Sequence, residues 1–95
     1  MNIFWSDQSK KDLKAIHDYI GRDSPFYADR MVERIILRAD RLIRFSSSGH
    51  PVHEYPELPL KEVHEKPYRI LYRIHRKEVE IVTIVHFRKR LIIKN

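Results

Sequence analysis

Between Pro67 and Arg90 the chain reads PYRILYRIHRKEVEIVTIVHFRKR, and this stretch limits the fold more than any other. Tyr68, Ile70, Tyr72 and Ile74 alternate with Arg69, Leu71, Arg73 and His75, the period of two that a half-buried strand requires. Arg76-Lys77 makes a polar tip, and Val79, Ile81, Val82, Thr83, Ile84 and Val85 supply a second, β-branched strand. A two-residue tip sets Tyr68 opposite Val85, Ile70 opposite Thr83, Tyr72 opposite Ile81 and Ile74 opposite Val79. That face of the hairpin is expected to be buried. The alternate face pairs Arg73 with Glu80, Leu71 with Val82 and Arg69 with Ile84, and is expected to meet water.

The residues before the hairpin read as a cover for its dry face. Asn2–Trp5 is a short apolar strand. Ser6 is a helix N-cap, with Asp7 in the first turn, where negative charge suits the helix dipole. Leu13, Ile16 and Ile20 share one helical face, and Gly21 ends the helix. Ser24-Pro25 restarts it, because proline at the first helical position forfeits no hydrogen bond. Ala28, Val32, Ile35, Ala39 and Leu42 then carry an apolar stripe, widened by Met31, Ile36 and Ile43, to about Phe45. So short a connection predicts an antiparallel α-hairpin. Three prolines in HPVHEYPELP predict irregular chain, and Leu60–Glu65 predicts a strand that turns at Lys66-Pro67. For Phe87–Asn95 two continuations stand open, a longer strand or a turn into a short element. The whole is one α+β domain over residues 1–95: an N-terminal strand, then an α-hairpin packed on a small antiparallel sheet, in the order β-α-α-β-β-β.

Charge is unevenly placed. Residues 1–59 hold nine Lys/Arg and nine Asp/Glu, whereas residues 60–95 hold ten and four, so the net +6 lies in the last third. A basic end on a neutral scaffold suits a polyanion or an acidic protein segment. No apolar run approaches a membrane span, no secretory signal is visible, and cysteine is absent, which together predict a cytoplasmic protein without disulfides or thiolate metal sites. His50, His53 and Glu54 lack a second ligand pair, so no metal site is expected, and neither is a cofactor.

Within the basic third, Arg69 has no carboxylate opposite it in the expected register. His86 and Arg88 project beside it, His64 comes near from the preceding strand, and Lys89 and Arg90 follow. A guanidinium fork with no internal partner suits phosphate, and a neutral imidazole among arginines suits proton transfer near neutral pH. Arg73 and Glu80 are expected to form only a structural cross-strand pair. Trp5 and Tyr19 are expected in the core.

The stretches FWSDQSKKDLKAIHDYI, GHPVHE with LKEVHEKPYRILYRI, and VEIVTIVHFRKRL, in the order strand, α-hairpin, antiparallel strands, resemble the RelE/ParE superfamily of toxin–antitoxin toxins across nearly the whole chain. ParE-like members, often called plasmid-stabilisation toxins, are the most similar in texture. The resemblance implies a toxin neutralised by a cognate antitoxin whose C-terminal segment wraps over it, in a hetero-oligomer or with a homodimer of the toxin. It implies one of two targets. ParE-like members poison DNA gyrase, whereas RelE-like members are metal-independent endoribonucleases that cleave mRNA in the ribosomal A site.

By resemblance, Arg69 matches the strand arginine that holds phosphate in the nucleases, and Arg88 or Arg90 the basic residue after the last strand. His86 stands near an acid/base position, and Lys61 approximates a strand lysine one residue out of step. The nuclease reading would make Arg69, His86 and Arg88 catalytic. Many nuclease members also carry a tyrosine or histidine in the tail. This chain has neither after Phe87, which shifts the expectation toward gyrase. A third reading is a nontoxic remnant that still binds an antitoxin.

Overall fold

Ser6 and Ser24 do what their positions promise. Each accepts a hydrogen bond from the backbone N–H three residues on, Ser9 at 3.0 Å and Tyr27 at 3.2 Å, and so opens a helix. In the computed structural model, which describes residues 1–93, β1 (Asn2–Trp5) leads into α1 (Asp7–Gly21) and α2 (Pro25–Asp40). A 3-10 turn over Arg41–Ile43 follows, so the second helix loosens before Phe45 rather than running through it. Four more strands complete the chain: β2 (His50–Pro51), β3 (Lys61–Glu65), β4 (Tyr68–His75) and β5 (Glu78–His86).

The strands form one mixed sheet in the order β1-β5-β4-β3-β2. The three long strands are antiparallel, as expected. The first strand joins the same sheet, parallel to β5, and His50–Pro51 adds a short outer strand within the proline-rich stretch expected to be irregular. Pro51 is tolerated in it because β2 is the sheet's edge strand, where proline is accommodated, while Pro56 and Pro59 lie in the irregular chain that follows.

The α-hairpin covers one face. Ile16, Ile35, Ala39 and Leu42 from the helical segment pack on Val63, Tyr68, Ile70, Tyr72, Val79, Ile81 and Ile84. Each fully buried aliphatic chain there contributes on the order of 1.5–3 kcal/mol. Tyr72 has no exposed surface, and its hydroxyl donates to Ser46 O at 2.7 Å while accepting from Gly49 N at 3.0 Å. A Cβ on Gly49 would stand 2.5 Å from that hydroxyl and 2.7 Å from Glu62 O, so only glycine fits. Burial fails at three expected positions: Ile74 near the hairpin tip, and Ile36 and Ile43 on the helical side, are exposed.

The hairpin register holds from the tip to Tyr72↔Ile81 and then slips by one residue. Leu71 faces Thr83, Ile70 faces Ile84, Arg69 faces Val85 and Tyr68 faces His86, with Val82 as the extra residue of a β-bulge. The slip replaces the expected pairs Tyr68/Val85, Ile70/Thr83, Leu71/Val82 and Arg69/Ile84. Its cause is the end of β1 and the start of α1. β1 pairs with β5 only as far as Trp5↔Ile81. There Ser6 N donates to Ile81 O (3.0 Å), and Ser6 Oγ donates to the bulged Val82 O (2.7 Å). Asp12 then takes the next free donors, its Oδ2 accepting from Ile84 N at 3.0 Å and from the Thr83 hydroxyl. α1 thus satisfies the backbone groups that β1 leaves behind.

The other face of the sheet is not wet. Val52, Leu60, Leu71 and Leu91 form a second buried cluster, with Tyr55, Leu58, Val82, Val85 and Ile93 packed on it. The tail turns after His86 and folds back over this face. Ile93 N donates to the Tyr55 hydroxyl at 3.1 Å, which settles the open choice for the tail through Ile93 in favour of a turn, and Lys94 and Asn95 lie outside the described residues. Among the described residues no helix is long and apolar enough to cross a membrane.

Asp12→Ala should remove the oxygen that accepts both hydrogen bonds at the bulge and lower the unfolding free energy by about 1–3 kcal/mol. Urea denaturation measures this, and Asp12→Asn, which keeps one acceptor oxygen, should lose less.

Candidate functional site

Arg69, expected to be free, is 7% exposed and bound by two carboxylates. Its Nη1 and Nη2 donate to Glu54 at 2.7 and 2.8 Å, a fork-on-fork pair, while Nε and Nη2 also donate to Glu62. Glu62 accepts from His64 Nε2 as well, at 2.6 Å. The reason is local. β3 sets His64 across from Arg69 and Glu62 across from Leu71, and the loop after β2 brings Glu54 over the same face. One guanidinium between two carboxylates leaves this patch without the cationic character expected of it.

The protonation states follow. Hydrogen bonds from Arg69 hold Glu54 at about 2 against an ordinary 4.5. Burial pushes Glu62 upward, but donation from Arg69 and His64 outweighs it and its carboxyl stays below the usual range. Arg69 itself is pushed further above its already high value by Glu54 and then Glu62. Arg73 and Glu80 pair as expected, Nε to Oε1 at 3.1 Å, with His75 joining at 2.6 Å.

The bulge separates the remaining site residues from Arg69. His86 would share Arg69's face without the slip, but it faces Tyr68 on the helix side instead. The two rings meet edge to face at 5.4 Å. Lys61, opposite Tyr72, also lies on the helix side. Arg88, Lys89 and Arg90 are exposed in the turn after β5. So His64 stays with Arg69, whereas His86, Arg88 and Lys89 gather elsewhere. Of His50, His53 and Glu54, from which no metal site is expected, Glu54 is engaged by Arg69 and His50 packs on His64 with ring centroids 5.4 Å apart.

His86, Arg88 and Lys89 line an open cleft of about 790 Å³ between α1 and the end of the β4–β5 hairpin. Asp12, Ile16, Asp18, Tyr19 and Arg22 form its helical wall, and Tyr68 and Ile84 its floor. Arg88 N donates to His86 Nδ1 at 3.0 Å, so the neutral ring carries its proton on Nε2 as a donor. Tyr68 is almost wholly buried, and its hydroxyl titrates above the ordinary range because of burial and then the neighbouring Tyr19. Tyr19, expected in the core, is instead 68% exposed, with the Arg22 guanidinium 6.0 Å from its ring centroid.

Sequence reasoning missed Tyr19, Arg22 and Tyr68 as members of one site. The signal available was weak: Tyr19 falls off the Leu13–Ile16–Ile20 stripe, and Arg22 follows the helix-ending Gly21.

Residues 3–91 match the family model described as the ParE toxin of the type II toxin–antitoxin system parDE. Toxin RelE2 of Caulobacter vibrioides is 40% identical over 47 residues, a match spanning about half of each protein, 50% of this chain and 53% of that toxin. Among solved structures, the chromosomal ParDE toxin–antitoxin system of P. aeruginosa superposes with a TM-score of 0.76 at 25% identity, covering 90% of this chain and 95% of that one. The toxin–antitoxin complex RelBE2 of Mycobacterium tuberculosis gives a TM-score of 0.64 at 20% identity with the same coverage, a likeness of fold.

Arg69→Ala should strand Glu62 in the interior without its cation and cost about 3–5 kcal/mol in chemical denaturation. Replacing Arg69, Glu54 and Glu62 together by apolar residues should recover much of that loss. Because Glu54 has a lower pKa folded than unfolded, its contribution is complete above about pH 4.5 and disappears as the pH falls toward about 2. Thermal melts across that window should show stability declining with acid, and Glu54→Gln should flatten the decline.

Proposed function

The chain belongs to the ParE toxin family of type II toxin–antitoxin systems, and from that premise we propose that it is the toxin of such a pair, acting on DNA gyrase by binding. The observation that carries this reading is the ParE family match over residues 3–91, nearly the full described chain. The state of Arg69 supports it. A nuclease of RelE-like kind would need Arg69 and Arg88 on one phosphate, with His86 exchanging protons. Here Arg69 is bound by Glu54 and Glu62 on one face of the sheet, and His86 lies on the other. A toxin that works by occupancy needs no such assembly.

The proposed partner is a cognate antitoxin. Phe26, Tyr27, Leu37 and Phe45 are each more than half exposed on the helical side, and an apolar groove runs past Val32, Ile36 and Leu37. Exposed apolar surface of that kind suits an amphipathic segment laid along it, and the net +6 favours an acidic one whose association slows with added salt. Assembly as a toxin–antitoxin hetero-oligomer in the cytoplasm follows from the same reading.

The similarity to Toxin RelE2 keeps the ribosome-dependent endoribonuclease as the second reading, with Arg69, Arg88 and His86 in the roles given above and Lys61, His64, Lys89 and Arg90 as accessory phosphate contacts. Purified protein added to gyrase and relaxed plasmid should block supercoiling and trap cleaved DNA, and the antitoxin encoded beside it should restore activity. Unimpaired supercoiling together with mRNA cut on programmed ribosomes would reverse the order of the two readings. Normal growth when the chain is induced alone would leave the nontoxic antitoxin-binding remnant.

A further inference from the structure

The cleft between α1 and the end of β5 has a composition unlike the rest of the surface. Arg22, Arg88 and Lys89 line it, and none of them enters an ion pair among the described residues. The two carboxylates that also line it are already engaged. Asp12 holds Thr83 and the Ile84 amide, and Asp18 pairs with Lys14 at 2.7 Å. Lys14 offsets Asp18, whereas the neutral partners of Asp12 leave its charge in place, and the three cations of the lining keep the cleft net positive.

Its aromatic groups are arranged to meet a ligand. Tyr19 stands at the rim with its ring mostly in water. The Tyr68 hydroxyl, at the floor, has no hydrogen-bond partner among the described residues, and yet it is not sealed from solvent. His86 presents its Nε2–H as a donor, because Nδ1 is taken by Arg88 N. A flat ring beside guanidinium and ammonium groups, with hydroxyl and imidazole donors below, is the chemistry that binds a base and its phosphate. The basic run continues out of the cleft to the exposed Arg90, so a chain of phosphates has a further contact waiting.

We propose that this cleft binds single-stranded nucleic acid, one base stacking on Tyr19 and the adjoining phosphates on Arg22, Arg88 and Lys89. An acidic peptide would use the cations but leave the Tyr19 face without a planar partner. The inference goes beyond the gyrase reading and is independent of it. It shares Arg88 and Lys89 with the ribosome-dependent reading but rests on Tyr19, Arg22 and Tyr68 in place of Arg69, and it needs only the purified chain, with no ribosome and no cleavage.

Fluorescence anisotropy of a labelled twelve-residue oligothymidylate measures it directly. Binding should weaken steeply with salt, the logarithmic slope falling by about 0.7 for each phosphate contact removed. Lys89→Ala should lower that slope by about this amount, and Tyr19→Ala should weaken binding by roughly tenfold with a smaller change in slope. Lys77→Ala, the same charge change at the opposite end of the hairpin, should bind like the parent, and circular dichroism checks that each variant is folded. Four outcomes would overturn the proposal: no binding at low salt, equal losses in Lys77→Ala and Lys89→Ala, no effect of Tyr19→Ala, or displacement by a glutamate-rich peptide or a mononucleotide as readily as by unlabelled oligonucleotide. Because gyrase is absent from the assay, its failure leaves the supercoiling result standing, and the converse holds.

Discussion

One set of hydrogen bonds decides where everything else in this protein lies. Ser6 and Asp12, at the start of α1, take the carbonyl of Val82, the amide of Ile84 and the hydroxyl of Thr83. Together they hold the single extra residue in β5. A strand alternates its side chains with a period of two, so one inserted residue reverses the facing of all that follows. The bulge thus puts Ile84 into the main core, Val85 into the second cluster and His86 beneath α1. Without the α1 contacts the bulged backbone would carry unmet polar groups, and the regular register would compete.

The second constraint is that the sheet has no dry and wet side. Loop and tail cover the face away from the helices, and Arg69 is enclosed there with Glu54 and Glu62. Burying Arg69 and Glu62 is costly, and the network is tolerated because each nitrogen of the guanidinium donates to a carboxylate, with the more exposed Glu54 closing it from the loop side. Its net charge is low, so the molecule's positive field comes from the strand ends and turns. In a domain covered on both faces, a ligand meets the sheet at its perimeter.

Much of the architecture was legible in the sequence for reasons that are local. Ser6, Ser24-Pro25 and Gly21 mark helix ends through backbone chemistry that needs no tertiary context, and the tip-proximal pairs from Tyr72/Ile81 to Ile74/Val79 follow from alternation. What escaped depends on distant residues. Val82 looks like any β-branched strand residue, and only Ser6 and Asp12, some 70 positions away, make it a bulge. Arg69 looks unpartnered because Glu54 lies in a proline-broken loop with no periodicity to place it, while Glu62 required the β3 register. With the bulge unseen, His86 was assigned to the wrong face, and the cleft that gathers it with Tyr19, Arg22 and Tyr68 had no visible signature.

The contact between Tyr72 and Gly49 has a consequence for how the molecule comes apart. Tyr72 belongs to the helix-side core, yet its hydroxyl fastens the segment from Ser46 to Gly49, from which the chain continues to Val52 and Glu54 on the other side of the sheet. The two hydrophobic clusters therefore share one fastening. Loosening the helical layer frees the strap that covers the far layer, and shedding the strap exposes the phenol in the near one, so neither half is an independent folding unit and the domain opens as a single cooperative body.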